Sequence, residues 1–207
     1  MAAREDGEVG GARQRKALLS LAREQRLAWV VTRDLVAGLL ALQPQTADDD
    51  AIRAFAGHLA RANPLLEALR RAPDALILLL GPHGYVSPSW LTDRTQAPTW
   101  NYAAARFRVR FEFLDDPIAL RSLLDEQVAL MEAGRPRAWR AAEMGPRYDV
   151  LARRIIGFLA RVVEAQPLFK LSQADAFDQW AEITAGLRGD RAADLARWMD
   201  DVREAGR

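Results

Sequence analysis

The residues best suited to chemistry fall in a few short segments. GHLARANP (57–64) holds His58, Arg61 and Asn63. GPHGYVSPSW (81–90) and APTWNY (97–102) hold Tyr85, Ser87, Ser89, Trp90, Thr99, Trp100, Asn101 and Tyr102, and FKLSQ (169–173) holds Lys170. In the first segment, a Gly–Pro bracket marks a strand running into a helix. A helix start leaves backbone N–H groups unpaired, and an adjacent Arg completes a cradle for phosphate. The same residues also read as an ordinary helix cap with a surface Arg, and a lone His58 as a hydrogen-bonded core residue.

The second and third segments concentrate two Trp and two Tyr in a chain with only 8% aromatics. Pro88 and Pro98 stiffen the backbone there. Such a stretch can wall a flat aromatic ligand, with hydroxyl and amide groups for its polar edge. It can equally be a packed corner. Arg106, Arg108 and Arg110 alternate along one segment and offer a basic face, for an anion or simply for solvent. His83 is the one His within the aromatic stretch.

Composition removes several alternatives. The chain has 207 residues, no Cys and two His, so disulfides, thiolate metal sites and a Cys nucleophile are excluded, and a His-rich zinc site is not expected. A formal charge of +1 gives no broad basic surface. There is no G-x-S-x-G, Walker loop or G-x-G-x-x-G. The start lacks the apolar core of a signal peptide, and the longest apolar run, ALILLLG, is too short to span a bilayer. A soluble cytoplasmic protein is expected.

The elements that must position these residues emerge in chain order. Residues 1–12 are expected to be flexible, and a helix covers Arg13–Leu27. WVVT is a strand, with Leu35–Leu42 as its hairpin partner. QPQTADDD reads as a turn or loop, and Ala51–Ala56 as the next strand. A leucine-rich helix follows Pro64, and ALILLLG is a buried strand. From Trp100 to Leu114, Phe107, Val109, Phe111 and Phe113 alternate with charged residues, which fixes a long strand. DDPIALRSLLDEQVALME is a helix capped by Asp115 or Asp116. Ile155–Gln166 is another strand, with Gly157 permitting a bulge or close approach. Two short helices near 175–187 and 190–203 end the chain. Strands and helices do not alternate strictly, so the expected class is α+β: a barrel over residues 13–174 with helices 175–207 packed on the same domain.

In that order, GHLARANP, GPHGYVSPSW, APTWNY and FKLSQ resemble the FMN-binding negative transcriptional regulator family, over about residues 13–190. The resemblance implies a split β-barrel of the pyridoxamine-phosphate-oxidase type, assembled as a homodimer with FMN in clefts at the interface. It implies a cofactor set of His58, Arg61, Asn63, Tyr85, Ser87, Ser89, Trp90, Thr99, Trp100, Asn101 and Lys170. The phosphate would lie near Arg61 and Asn63, with Lys170 or an Arg of the 106–110 strand adding charge, and the ring near Tyr85–Trp90 and Thr99–Tyr102. Three departures bear on flavin retention: LVAGLLALQPQ lacks the family's His, Ala174 replaces an Asn, and Leu91 replaces a Tyr. The implied role is a flavin-dependent negative regulator, with a flavin-dependent oxidoreductase or a flavin-free dimeric binding module as the other readings. Without a helix-turn-helix or a basic recognition helix, direct DNA binding is not expected.

Overall fold

The computed structural model describes the backbone of residues 2–47 and 49–204, and the side chains of 11–47 and 49–203. Helix α1 (Ala2–Glu24) begins well before the expected Arg13 and stops before Leu27, which already belongs to β1 (Leu27–Thr32). Then come β2 (Ala37–Ala41), β3 (Gln43–Thr46), β4 (Ile52–Ala60), α2 (Pro64–Arg71), β5 (Asp74–Val86), β6 (Thr99–Leu114), α3 (Pro117–Glu132), α4 (Arg147–Ala152), β7 (Ile155–Lys170), α5 (Phe177–Gly189) and α6 (Ala193–Glu204).

All seven strands form one antiparallel sheet in the order β2-β1-β5-β6-β7-β4-β3. The two end strands, β2 and β3, are separated only by Leu42. One nearly continuous segment therefore pairs with β1 through its first half and with β4 through its second, and the sheet closes on itself. This corrects the reading of QPQTADDD as a turn or loop. Gln43–Thr46 is a strand, and the turn comes only after Thr46, where Ala47 N–H donates to the Ala51 carbonyl. Pro44 is tolerated because β3 pairs on one side only. At this seam a side chain on Gly57 has no room: a Cβ there would lie 2.5 Å from Phe158 Cζ and 2.7 Å from the Ala41 carbonyl oxygen.

The barrel core follows from the alternation along β6. Phe107, Val109 and Phe111 face inward, while Arg106, Arg108, Arg110 and Glu112 face outward. Phe107 meets Phe55 edge-on at 4.9 Å, and Phe111 meets Phe158 at 5.0 Å. Burying each such ring contributes about 2–3 kcal/mol before conformational entropy is subtracted. On β7, Leu123 and Leu120 of α3 pack close over Gly157, where a Cβ would lie 3.1 Å from Leu123 Cδ2.

Beyond the barrel, β5 and β6 continue as a two-stranded ribbon after a register shift between Leu80 and His83. The pairing resumes as His83 opposite Tyr102, Gly84 opposite Asn101 and Tyr85 opposite Trp100. The inner face of the ribbon is backed by the C-terminal helices: a Cβ on Gly84 would meet Leu187, Ala192 and Leu195, each at 3.1 Å. Trp198 Nε1 of α6 donates to Glu24 Oε2 of α1 at 2.9 Å, joining the two ends of the chain. β7 runs on through Pro167–Lys170, past the expected end at Gln166, because its extra residues pair with β6 down to Tyr102 opposite Lys170.

Candidate functional site

The chemistry-bearing residues occupy three places. His58, on β4, lines a cleft of about 490 Å³ between the C-terminal half of α3 and the β2–β3 junction. Its Nδ1 lies 3.1 Å from Gln127 Oε1. Arg61, just past β4, lines a second cleft of about 520 Å³ with Arg121 at the start of α3 and Arg153 after α4. Asp115, Asp149 and Tyr148 also border it. Tyr148 is buried beneath Arg121, whose guanidinium carbon lies 4.0 Å from the ring centre. Its hydroxyl has no hydrogen-bond partner among the described residues, and burial pushes the phenol above its ordinary pKa.

The third place is the outward face of the ribbon. His83, Tyr85, Trp100 and Tyr102 are exposed there, and Trp100 touches both His83 and Tyr85, at 6.4 and 6.1 Å between ring centres. Lys170 stands opposite Tyr102 on β7, its ammonium donating to Thr99 Oγ1. His83 Nδ1 lies 3.0 Å from the Gly81 carbonyl. A carbonyl only accepts, so Nδ1 carries a proton, and in the neutral ring Nε2 is the acceptor. The face continues as an apolar band across the barrel wall, where Leu39, Trp29, Leu78 and Leu80 are exposed and Leu168 adds to it from β7.

Several of the expected site residues are engaged within the chain. The Asn63 side chain caps α2 by accepting from Leu65 N–H at 3.0 Å. Ser87 caps the short turn Pro88–Trp90 and contacts Ser89 Oγ at 2.7 Å. The Trp90 ring is packed on α5 at Gly186. Asn101 is buried on the inner face, where its amide donates to Ser172 Oγ at 2.9 Å and its Oδ1 has no partner among the described residues. The basic residues of β6 are also matched: Arg106 with Gln166, Arg108 with Glu164 at 2.9 Å, and Arg110 with Asp74 at 3.1 Å. Arg121, Arg153, Tyr148 and Gln127 escape a reading of sequence. On or beside helices they look like ordinary solvated positions, and only the packing of α3 and α4 onto β7, the neighbour of β4, gathers them.

The two parts best suited to a mononucleotide lie at opposite ends of one strand. Leu114 borders the arginine cleft and Trp100 stands on the ribbon, both on β6. Fourteen residues of strand separate them, roughly 45 Å along the chain at ~3.3 Å per residue. The donor set fits FMN: three guanidiniums suit a phosphate, and exposed aromatic rings suit an isoalloxazine. No group of three or more His, Asp or Glu able to hold a metal exists among the described residues.

A sheet closed through β2–β3, extended by a ribbon and backed by helices, is an α+β split barrel. The fold matches a FAD- and haem-binding protein from Mycobacterium smegmatis, with a TM-score of 0.56 and 19% identity over 83% of this chain and 77% of that one. It also matches the flavocytochrome Anf3 from Azotobacter vinelandii, with a TM-score of 0.53 and 16% identity over 80% and 72%. At the level of sequence, the chain belongs to the family described as "Putative FMN-binding domain", which matches residues 11–164. It is 27% identical over 154 residues to the protease synthase and sporulation protein PAI 2 of Bacillus subtilis, covering 70% of this chain and 71% of that protein. The FKLSQ segment and the C-terminal helices lie beyond the family match.

Proposed function

We propose that this protein is a cytoplasmic, homodimeric FMN-binding split barrel that acts as a negative regulator of transcription. The observation that carries the flavin site is the separation along β6. The arginine cleft and the aromatic ribbon are too far apart in one chain to hold one mononucleotide, and a second copy brings them together. In this reading Arg61, helped by Arg121 and Arg153, binds the phosphate of one cofactor. The ribbon of the other protomer (Tyr85, Trp100 and Tyr102, with Lys170 and Thr99 beside them) walls its ring. The apolar band of Leu39, Trp29, Leu78 and Leu80 supports the dimer, because a soluble protein rarely leaves so much apolar surface open.

Bound FMN would supply redox chemistry, and this chain's residues would hold and shield it. In its neutral form His83 presents an acceptor nitrogen on the ribbon, which favours the second reading, a flavin-dependent oxidoreductase in which His83 accepts a proton. The regulatory role draws on the resemblance to the FMN-binding negative transcriptional regulator family; the Bacillus relative is named only for protease synthase and sporulation. Its route would be indirect, since the carboxylate and amide partners of Arg106, Arg108 and Arg110 leave no free basic strip on β6 for DNA.

The test is the visible spectrum of the protein after incubation with FMN and desalting. A retained flavin spectrum, lost in Arg61→Ala, supports the reading. A colourless dimer would leave a flavin-free binding module.

A further inference from the structure

The formal charge of +1 is unevenly placed along the chain. The connection between α3 and β7, residues 133–154, holds Arg135, Arg137, Arg140, Arg147, Arg153 and Arg154 against two carboxylates, Glu143 and Asp149. All six arginines are exposed. Elsewhere exposed arginines are commonly matched by carboxylates, as Arg53 is by Asp49, Arg71 by Asp34 and Arg161 by Glu112. In the connection only Arg135 makes an ion pair among the described residues, with Glu132 at 3.6 Å. The nearby carboxylates have other partners. Glu132 also accepts from Trp139 N–H at 3.1 Å, Glu143 from the Arg140 backbone N–H at 2.9 Å, and Asp125 of α3 pairs with Arg121 at 3.5 Å. Asp149 borders the arginine cleft beside Arg61, Arg121 and Arg153. Arg137, Arg140, Arg147 and Arg154 are left without an ion pair among the described residues. Trp139 stands between the first two and is 39% exposed. The connection is anchored, since Ala141 and Tyr148 are buried and Arg121 covers the Tyr148 ring. Its helix α4 has only six residues, too short to read a duplex groove.

We propose that this connection binds single-stranded nucleic acid, independently of the flavin. The four unmatched guanidiniums suit a sugar–phosphate backbone, and the exposed indole offers a face on which an unpaired base stacks. A duplex keeps its bases stacked on one another and away from the indole. An acidic protein segment would use the charge alone.

The test is fluorescence anisotropy on the full chain with labelled single-stranded RNA and DNA of one mixed sequence, about twelve nucleotides long. The corresponding DNA duplex and a polyglutamate peptide of equal charge are the comparisons. Both single strands are expected to bind saturably and about tenfold more tightly than the duplex, the worth of one base stacked on an aromatic ring. Their log affinity should fall with log salt at a slope of about −2 to −3, as three or four neutralised phosphates require. Replacing both Arg137→Ser and Arg140→Ser should flatten that slope by about 1.4, and Arg147→Gln alone by about 0.7. Trp139→Leu should erase the preference for single strands, and Trp139→Phe should keep it. Unchanged melting temperatures show that the variants fold. No saturable binding, equal affinity for the duplex or for polyglutamate, or an unchanged salt slope in the double variant would each overturn the proposal. Equal binding of polyglutamate would assign the surface to an acidic protein instead.

Discussion

The Trp90 ring occupies the space that a side chain on Gly186 would need: a Cβ there would lie 2.2 Å from Trp90 Cδ2 and 2.3 Å from Cε3. This contact fastens the proline-stiffened end of β5 to α5, and through α5 to the lobe that backs the ribbon. Gly186→Ala is therefore expected to lower stability by about 1–3 kcal/mol, as overpacking does, and to reduce the melting temperature by several degrees. Thermal unfolding followed by tryptophan fluorescence checks this. An unchanged melting temperature would mean that the ring moves aside freely.

The same lobe is held by a buried amide. Asn101 donates to Ser172 Oγ, and Ser172 itself has a left-handed backbone, with φ of 57°. Ser172→Ala should cost about 1–3 kcal/mol, because it leaves the amide with only the Met199 sulfur at 3.7 Å. Asn101→Leu should cost less, since it removes donor and unpaired acceptor together. Denaturant unfolding of the two variants gives the comparison.

The loop after Trp90 carries a pH dependence. Thr92 donates to Glu182 through its hydroxyl and through its backbone N–H, the latter at 2.9 Å. These bonds hold the Glu182 carboxyl below its ordinary range, the side-chain bond contributing most. A lowered folded-state pKa stabilises the native form above the unfolded carboxylate pKa. The contribution is lost as pH falls through the folded value. Amide exchange near Thr92 should thus rise as pH is lowered from about 5 toward 3, after correction for intrinsic exchange, and Glu182→Gln should flatten the change.

The apolar band predicts an assembly phenotype. Leu80→Arg on the outer face of β5 should convert the proposed dimer to monomer in sedimentation while leaving the far-ultraviolet circular dichroism unchanged. A dimer that survives would place the interface elsewhere.

How much of the fold and site was legible in the sequence depends on how local each signal is. The alternation along β6 and the Asp116–Pro117 start of α3 were readable, because strand period and helix capping are properties of a few adjacent residues. Asp116 accepts from Ile118 and Ala119 N–H as expected of a cap. The closing strand β3 was not, because QPQT has no apolar alternation, and its pairing with β4 is a property of the barrel. The ribbon was half legible: Gly81 and Pro82 punctuate the sequence, yet the strand passes through them behind a register shift. Aromatic content flagged Tyr85 and Trp100, but composition could not say that Asn101 turns inward while its neighbours turn out. The arginine cleft joins residues 61, 121 and 153, a grouping that only tertiary packing creates.

The central claim is that each flavin site takes Arg61 from one protomer and the Trp100 ribbon from the other. Complementation tests it directly. Arg61→Ala and Trp100→Ala are each purified, shown to have lost FMN, then mixed, allowed to exchange subunits and desalted. A mixed dimer holds one doubly altered site and one intact site, so the account predicts that the flavin spectrum returns at up to one cofactor per mixed dimer. If each site lay within a single chain, every site in the mixture would still carry one substitution. Absence of bound flavin after exchange would contradict the account.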